Sequence, residues 1–111
     1  MECYIELWSA RASWVNLSKK ERADYLAQIK PHLQSLLEQG VEIVSWGVNE
    51  KDTSHRANYD FFAVWKFPNT DMKREFEAVV MDAGWYNHFH QENASGKLST
   101  PDEIIGKLIE F

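Results

Sequence analysis

The sequence holds a single cysteine, Cys3, so no disulfide can close within the chain and no second thiol stands near to complete a metal or redox pair. Cys3 reads as a small core residue. Basic charge is also scarce: 12 Lys and Arg are scattered among 17 Asp and Glu, for a net charge of -5. Phosphate contacts need a basic patch, so nucleic acid is disfavoured, and an anionic membrane surface is disfavoured for the same reason. No stretch of ~18 apolar residues exists to cross a bilayer. The N-terminus enters a strand-like pattern at once, without a basic segment leading into an apolar one, which gives the expectation of a cytoplasmic protein that is neither secreted nor inserted. The chain also has no internal repeat, low-complexity stretch or linker, and its 111 residues suit one domain, 1–111.

Aromatic residues, in contrast, are abundant at 14%, with tryptophans at positions 8, 14, 46, 65 and 85. Side chains of this size favour a thick core, an interface or an apolar pocket, and composition does not choose among the three.

The segment Glu2 to Ser9 places Cys3, Ile5 and Leu7 on one side and Tyr4, Glu6 and Trp8 on the other, the period of two that marks a strand. A connector, Arg11 to Leu17, leads to Ser18-Lys19-Lys20-Glu21, a capping box that opens a helix running to about Gln39. Leu26, Ile29, Leu33, Leu36 and Leu37 form its inward stripe, Gly40 terminates it, and Pro31 predicts a kink or break near Ile29. Two strands follow, Val41 to Asn49 and Asn58 to Phe67, joined by a long charged tip that contains His55-Arg56, a fork suited to an anion or simply a solvated loop. The second strand reads as Val44, Trp46 and Val48 opposite Val41 and Ile43; the third reads as Phe61, Ala63, Trp65 and Phe67 opposite Phe62 and Val64.

Asp71 to Ala83 predicts a second helix with Met72, Phe76, Val79 and Val80 inward, closed by Gly84. Beyond it Asn87 to Asn93 reads as either a short fourth strand or helix, and Ala94-Ser95-Gly96-Lys97 as a turn. Thr100-Pro101-Asp102-Glu103 starts a short last helix expected to bury Ile104, Ile105 and Leu108. The βαββαβ order predicts an α+β fold of ferredoxin-like type, an antiparallel four-stranded sheet with helices on one face and one extra C-terminal helix.

The stretches Tyr4-Ile5-Glu6-Leu7-Trp8, Gly40-Val41-Glu42-Ile43-Val44-Ser45-Trp46, Phe61-Phe62-Ala63-Val64-Trp65 and Gly84-Trp85-Tyr86, in this order of elements, resemble the dimeric α+β barrel superfamily. The resemblance implies two sheets packed face to face as a homodimer. It also implies a range of activities: cofactor-independent monooxygenases of antibiotic biosynthesis, haem-degrading enzymes, isomerases and mutarotases, and stress-response proteins. Haem-degrading members pair an asparagine on the first strand with a tryptophan and a histidine. Trp65 matches the tryptophan, but the first strand carries Glu6 and no asparagine.

Two groups carry candidate chemistry. In His88-Phe89-His90-Gln91-Glu92, a strand would turn His88, His90 and Glu92 to one face, an arrangement suited to acid–base work or to a divalent metal. A helix would separate His90 from the other two, and a solvated face explains the string as well, so no metal is expected. Glu6, between Tyr4 and Trp8 on a central strand, is the candidate proton acceptor if partly desolvated, and otherwise an ion-pair partner of a neighbouring Lys or Arg or an exposed residue at the sheet edge. Trp46 and Trp65 are the expected aromatic wall, with His90 as a further ligand contact and Glu6 or His88 as the catalytic group. The expectation is a small-molecule-binding, cofactor-independent protein of monooxygenase-like or isomerase-like type, taking a small apolar or aromatic ligand. The alternative is a non-catalytic homodimeric binding or stress-related module. No Gly-rich phosphate loop, Ser-His-Asp set or paired-cysteine site is present.

Overall fold

Alternation in the first strand decides the rest of the architecture, because Tyr4, Glu6 and Trp8 must all be covered on the same side. The computed structural model describes all residues, Met1–Phe111. Its elements are β1 (Glu2–Ala10), α1 (Ala12–Val15), α2 (Lys19–Glu38), β2 (Glu42–Val48), β3 (Phe61–Phe67), α3 (Thr70–Asp82), α4 (Trp85–His88), β4 (Phe89–Lys97) and α5 (Pro101–Ile109). The strands form one antiparallel sheet in the order β2-β3-β1-β4, the ferredoxin-like arrangement. α2 and α3 lie over one face, where Tyr4, Trp65, Phe67, Phe76, Leu36 and Phe89 form the core.

Local signals set most boundaries. Ser18 accepts from the Glu21 backbone N–H while the Glu21 carboxylate accepts from that of Ser18, the reciprocal box the sequence predicts. Asn69 caps α3 through the Met72 N–H, and Thr100 caps α5 through the Glu103 N–H. Gly40, at φ 103°, ends the run out of α2 in the left-handed region. The break expected at Pro31 does not occur, and α2 is one helix from Lys19 to Glu38. Proline still leaves the Ala27 carbonyl without its intrahelical donor. Tertiary contacts at both ends of α2 hold the helix across that defect: Tyr25 donates to the Ala83 carbonyl at 2.8 Å, and Leu36 is buried.

Four other expectations are corrected. The residues read as a turn, Ala94 to Lys97, belong to β4, which pairs with β1 along its length from Ala10↔Phe89 to Glu2↔Lys97. Their weak strand propensity is overridden because β1 would otherwise be left with a row of unpaired backbone groups. The register of β2 against β3 shifts between Ile43 and Ser45. This bulge at Val44 turns Ile43 and Trp46 to the face that carries Trp65 and Ala63, where unbroken alternation had separated them, although both stay about half exposed at the sheet edge. On the other face Gly47 lies beneath the Phe62 ring, and a Cβ there would come within 2.6 Å of it. The stripe of α5 is not buried: Ile104, Ile105 and Leu108 are exposed, because no surface of the same chain lies opposite them. Finally, the Arg56 guanidinium directs its donors to the carbonyls of Asn49, Glu50 and Tyr59, so it locks the hairpin tip from within.

The sheet face away from the helices carries Ile5, Leu7, Phe62 and Val64 beside Ser45, Lys66, His90 and Glu92. No helix of the chain covers it.

Restoring the missing helical hydrogen bond tests how much α2 depends on its tertiary anchors. Pro31→Ala is expected to raise unfolding free energy by about 1–3 kcal/mol, measured by urea denaturation. A loss of stability would mean that the backbone at this position requires proline's fixed φ.

Candidate functional site

Glu6 sits at mid-strand on the covered face of β1 and is 6% exposed. Its neighbour on β3 in that layer is Trp65, whose indole Nε1 donates to Glu6 Oε1 at 2.6 Å. From β4, Gln91 Nε2 donates to Glu6 Oε2 at 2.7 Å. The carboxylate therefore ties three adjacent strands together. It forms no salt bridge, so two neutral donors answer a buried charge. Burial pushes the Glu6 carboxyl above its ordinary value, and the hydrogen bonds from Trp65 and Gln91 only partly oppose that.

The donors are themselves fixed. Gln91 Oε1 accepts from Trp85 Nε1 at 2.7 Å, which orients the amide so that its NH2 faces Glu6. The same NH2 donates to Asn93 Oδ1 at 2.9 Å, Asn93 donates to the Tyr4 hydroxyl at 3.1 Å, and Tyr4 donates to Glu77 Oε2 at 3.1 Å. Burial first, and then the Glu77 carboxylate, push the Tyr4 phenol well up, so it stays a donor at neutral pH. The chain of bonds runs from the buried carboxyl to the surface along one edge of the core.

The other side of Glu6 is apolar. A small cavity of about 60 Å3 is lined by Glu6, Trp46, Trp65, Trp85, Phe76 and Val80 together with Ile29 and Leu33 of α2. Trp46 packs edge-on to Trp65 at 5.8 Å between ring centroids. Three of the residues singled out in the sequence, Glu6, Trp46 and Trp65, thus share one cavity. The bulge at Val44 is what brings Trp46 there.

The histidines are elsewhere. His88 ends the short helix α4, with Nδ1 3.2 Å from Ser13 Oγ and its ring packed against Trp14 and Tyr25. His90 and Glu92 belong to β4, whose alternation puts Phe89, Gln91 and Asn93 on the covered face and His90 and Glu92 on the open one. His90 Nε2 lies 3.3 Å from an Arg11 guanidinium nitrogen. The three residues of the string are therefore not a single facing set, because the helix-to-strand junction falls between His88 and Phe89. No group of three or more His, Cys, Asp or Glu side chains is placed to hold a metal ion. Gln91, Asn93 and Trp85, which complete the Glu6 network, were not singled out in the sequence. The signal was present in the same string, as the opposite parity of the strand.

Comparison with known proteins places this arrangement. The candidate chlorite dismutase TA0507 superposes with a TM-score of 0.67 at 15% identity, over 96% of this chain and 48% of that one. Protein At3g17210 of Arabidopsis thaliana matches with a TM-score of 0.61 at 14% identity, over 90% of this chain and 97% of its own. A dimeric ferredoxin-like protein of unknown function from Thermobifida fusca matches at 0.52 and 15% identity, over 87% and 90%. This chain spans about half the length of the chlorite dismutase-type chain. These likenesses establish a ferredoxin-like α+β fold. No curated protein matches in sequence. The chain belongs to DUF6616, a family of unknown function whose profile matches residues 1–111.

The environment of Glu6 carries a pH signature. A carboxyl whose folded pKa is raised adds stability below its unfolded value, near 4.5, and that contribution is lost as pH rises through the folded value. The lowered carboxyls Glu2 and Glu21 act in the opposite sense and below 4.5. The unfolding free energy of wild type minus that of Glu6→Gln is therefore expected to fall with rising pH above 4.5 and then level, measured by urea denaturation across pH. A difference that rises with pH would show that the protein stabilises the Glu6 anion.

Proposed function

We propose that this DUF6616 member is a small-molecule-binding, cofactor-independent enzyme-like protein in which Glu6 is the proton acceptor. The supporting observation is a buried carboxyl without a cation, held by Trp65 and Gln91, and forming the one charged patch of an otherwise apolar cavity. A base with a raised pKa beside an aromatic wall suits removal of a proton from a weakly acidic C–H or O–H group of a small apolar or aromatic ligand. Returning that proton at a neighbouring carbon is an isomerisation and needs no further reactant. The monooxygenase-like course would consume dioxygen as co-substrate. Trp46, Trp65 and Trp85 supply the wall against which a planar ligand packs. His88 and His90 lie outside this cavity and take no part in the step. A cytoplasmic location accords with the unpaired thiol of Cys3.

The uncovered sheet face supports a second element of the proposal, a homodimer. Ile5 is 38% exposed, Phe62 and Val64 lie beside it, and the α5 stripe is open as well. Contiguous apolar surface of this extent is rare on soluble monomers. A second copy related by a two-fold axis covers it with an identical face. The same surface favours the alternative of a non-catalytic homodimeric binding module, stress-related or otherwise, in which Glu6 has only its structural bonds.

Two measurements test the proposal: the first separates the two readings, and the second tests the dimer they share. Across a panel of cyclic ketones and phenols, wild type is expected to accelerate solvent-deuterium incorporation into at least one compound, with a loss of about 100-fold or more in Glu6→Gln. Equal rates in the two proteins would leave only the binding module. Sedimentation is expected to return twice the 13.0 kDa chain mass, and Phe62→Asp is expected to give a monomeric or aggregating chain. A well-folded wild-type monomer at high concentration would refute the dimer.

A further inference from the structure

The Glu6 cavity is one of three spaces that share walls. Ile29, Leu33, Phe76, Val80 and Trp85 line it and also line a second, wholly apolar space of about 40 Å3. That space in turn shares Ile29, Val79 and Ala83 with a groove of about 230 Å3 at the surface between α2 and α3, where Gln28, His32, Asp82 and the Tyr25 ring complete the lining. The line from Phe76 to Ala83 covers about 10 Å along α3 at the rise of an α-helix. The three spaces follow one another from the Glu6 carboxyl, past wholly apolar walls, to a polar groove, with shared side chains between them.

We propose that this line is the route and binding channel for a narrow, elongated, uncharged molecule, apolar along its length, whose inner end reaches Glu6 and whose outer end carries a hydroxyl or similar neutral group at Gln28, His32 and Asp82. The proposal rests on the reading of Glu6 given above and adds to it the shape and charge of the substrate. The exclusion of anions follows from the lining: carboxyls stand at both ends, Glu6 within and Asp82 at the mouth, and no Lys or Arg lines any of the three spaces. An anionic ligand would meet negative charge at either end and find no counter-charge between.

The inner cavity and the throat, about 60 and 40 Å3, are far smaller than the ~300–1,000 Å3 pockets that hold small ligands, so one wall must move. That wall is α2. Of its 20 residues only Leu36 is fully buried, and Pro31 interrupts its hydrogen bonding between the throat residues Ile29 and Leu33. Its outer half is held to α3 by the Tyr25 hydroxyl on the Ala83 carbonyl, a bond that spans the mouth. Breaking it frees the segment before Pro31 to swing while Leu36, Gly40 and Val41 keep the far end in place.

The test uses decan-1-ol and decanoate as probes, followed by tryptophan fluorescence, since Trp46, Trp65 and Trp85 line the inner cavity. Wild type at neutral pH is expected to bind decan-1-ol at least tenfold more tightly than decanoate, and Asp82→Asn is expected to narrow that ratio. Val79→Phe and Ile29→Phe, which fill the throat from opposite helices, are expected to weaken decan-1-ol binding tenfold or more, and Tyr25→Phe to speed its association. Binding unchanged in a throat variant that melts as wild type does, or decanoate bound as well as the alcohol, would overturn the channel while leaving the proton-transfer role of Glu6 to its deuterium test. Equal binding in the throat variants with loss on Trp46→Ala would instead put the opening beside β2.

Discussion

One buried carboxyl holds the centre of this molecule. Glu6 draws Trp65 of β3 and Gln91 of β4 onto β1, so the three strands are joined by side chains as well as by their ladders. Both donors are neutral, and each has its other contacts set by the core: Trp65 lies among Trp46, Phe67 and Phe76, and Gln91 is turned by Trp85. Such a network is costly when half made, because each orphaned donor would keep its desolvation penalty. Here each member is held by the next, from Trp85 through Gln91, Asn93 and Tyr4 to Glu77. The price is a carboxyl held away from bulk water, and that same condition makes it a stronger base than an exposed glutamate.

The helix layer is uneven in a way that complements this rigid centre. Each helix has one fully buried side chain, Phe76 in α3 and Leu36 in α2, but α2 is the longer and has a proline within it. A rigid sheet with a loosely seated helix above it separates two needs. On the proposed reading, the strands would hold the reacting group fixed, and passage to it would depend on the helix that a proline interrupts. The sheet's other face is a separate matter: its apolar residues point away from the site, so association there would leave the groove between α2 and α3 open.

Much of the fold was legible in the residues. Alternation in Tyr4-Ile5-Glu6-Leu7-Trp8 and in Phe61 to Phe67 assigned both faces correctly, since a strand buried on one side by large residues has no freedom to slip by one position. The capping boxes and Gly40 marked helix ends because they satisfy backbone groups locally. Where the reading failed, the deciding contact lay far along the chain. The bulge at Val44 arises from pairing with β3, the continuation of β4 through Ala94 to Lys97 from pairing with β1, and the exposure of α5 from the lack of any surface opposite it. Each is invisible to propensity.

The sequence by itself determined the α+β order of elements and put Glu6 on the same side of its strand as Tyr4 and Trp8, because periodicity and capping are properties of neighbouring residues. Only the tertiary structure decided which side chains meet that carboxyl. Trp65 lies 59 positions away and Gln91 85, and Trp46 reaches the cavity only through a register shift. The histidines, conspicuous in the sequence, were set apart by a helix-to-strand junction one residue wide. Which parity of a short segment faces inward depends on where its strand begins, and the partner strand, not the segment, fixes that point.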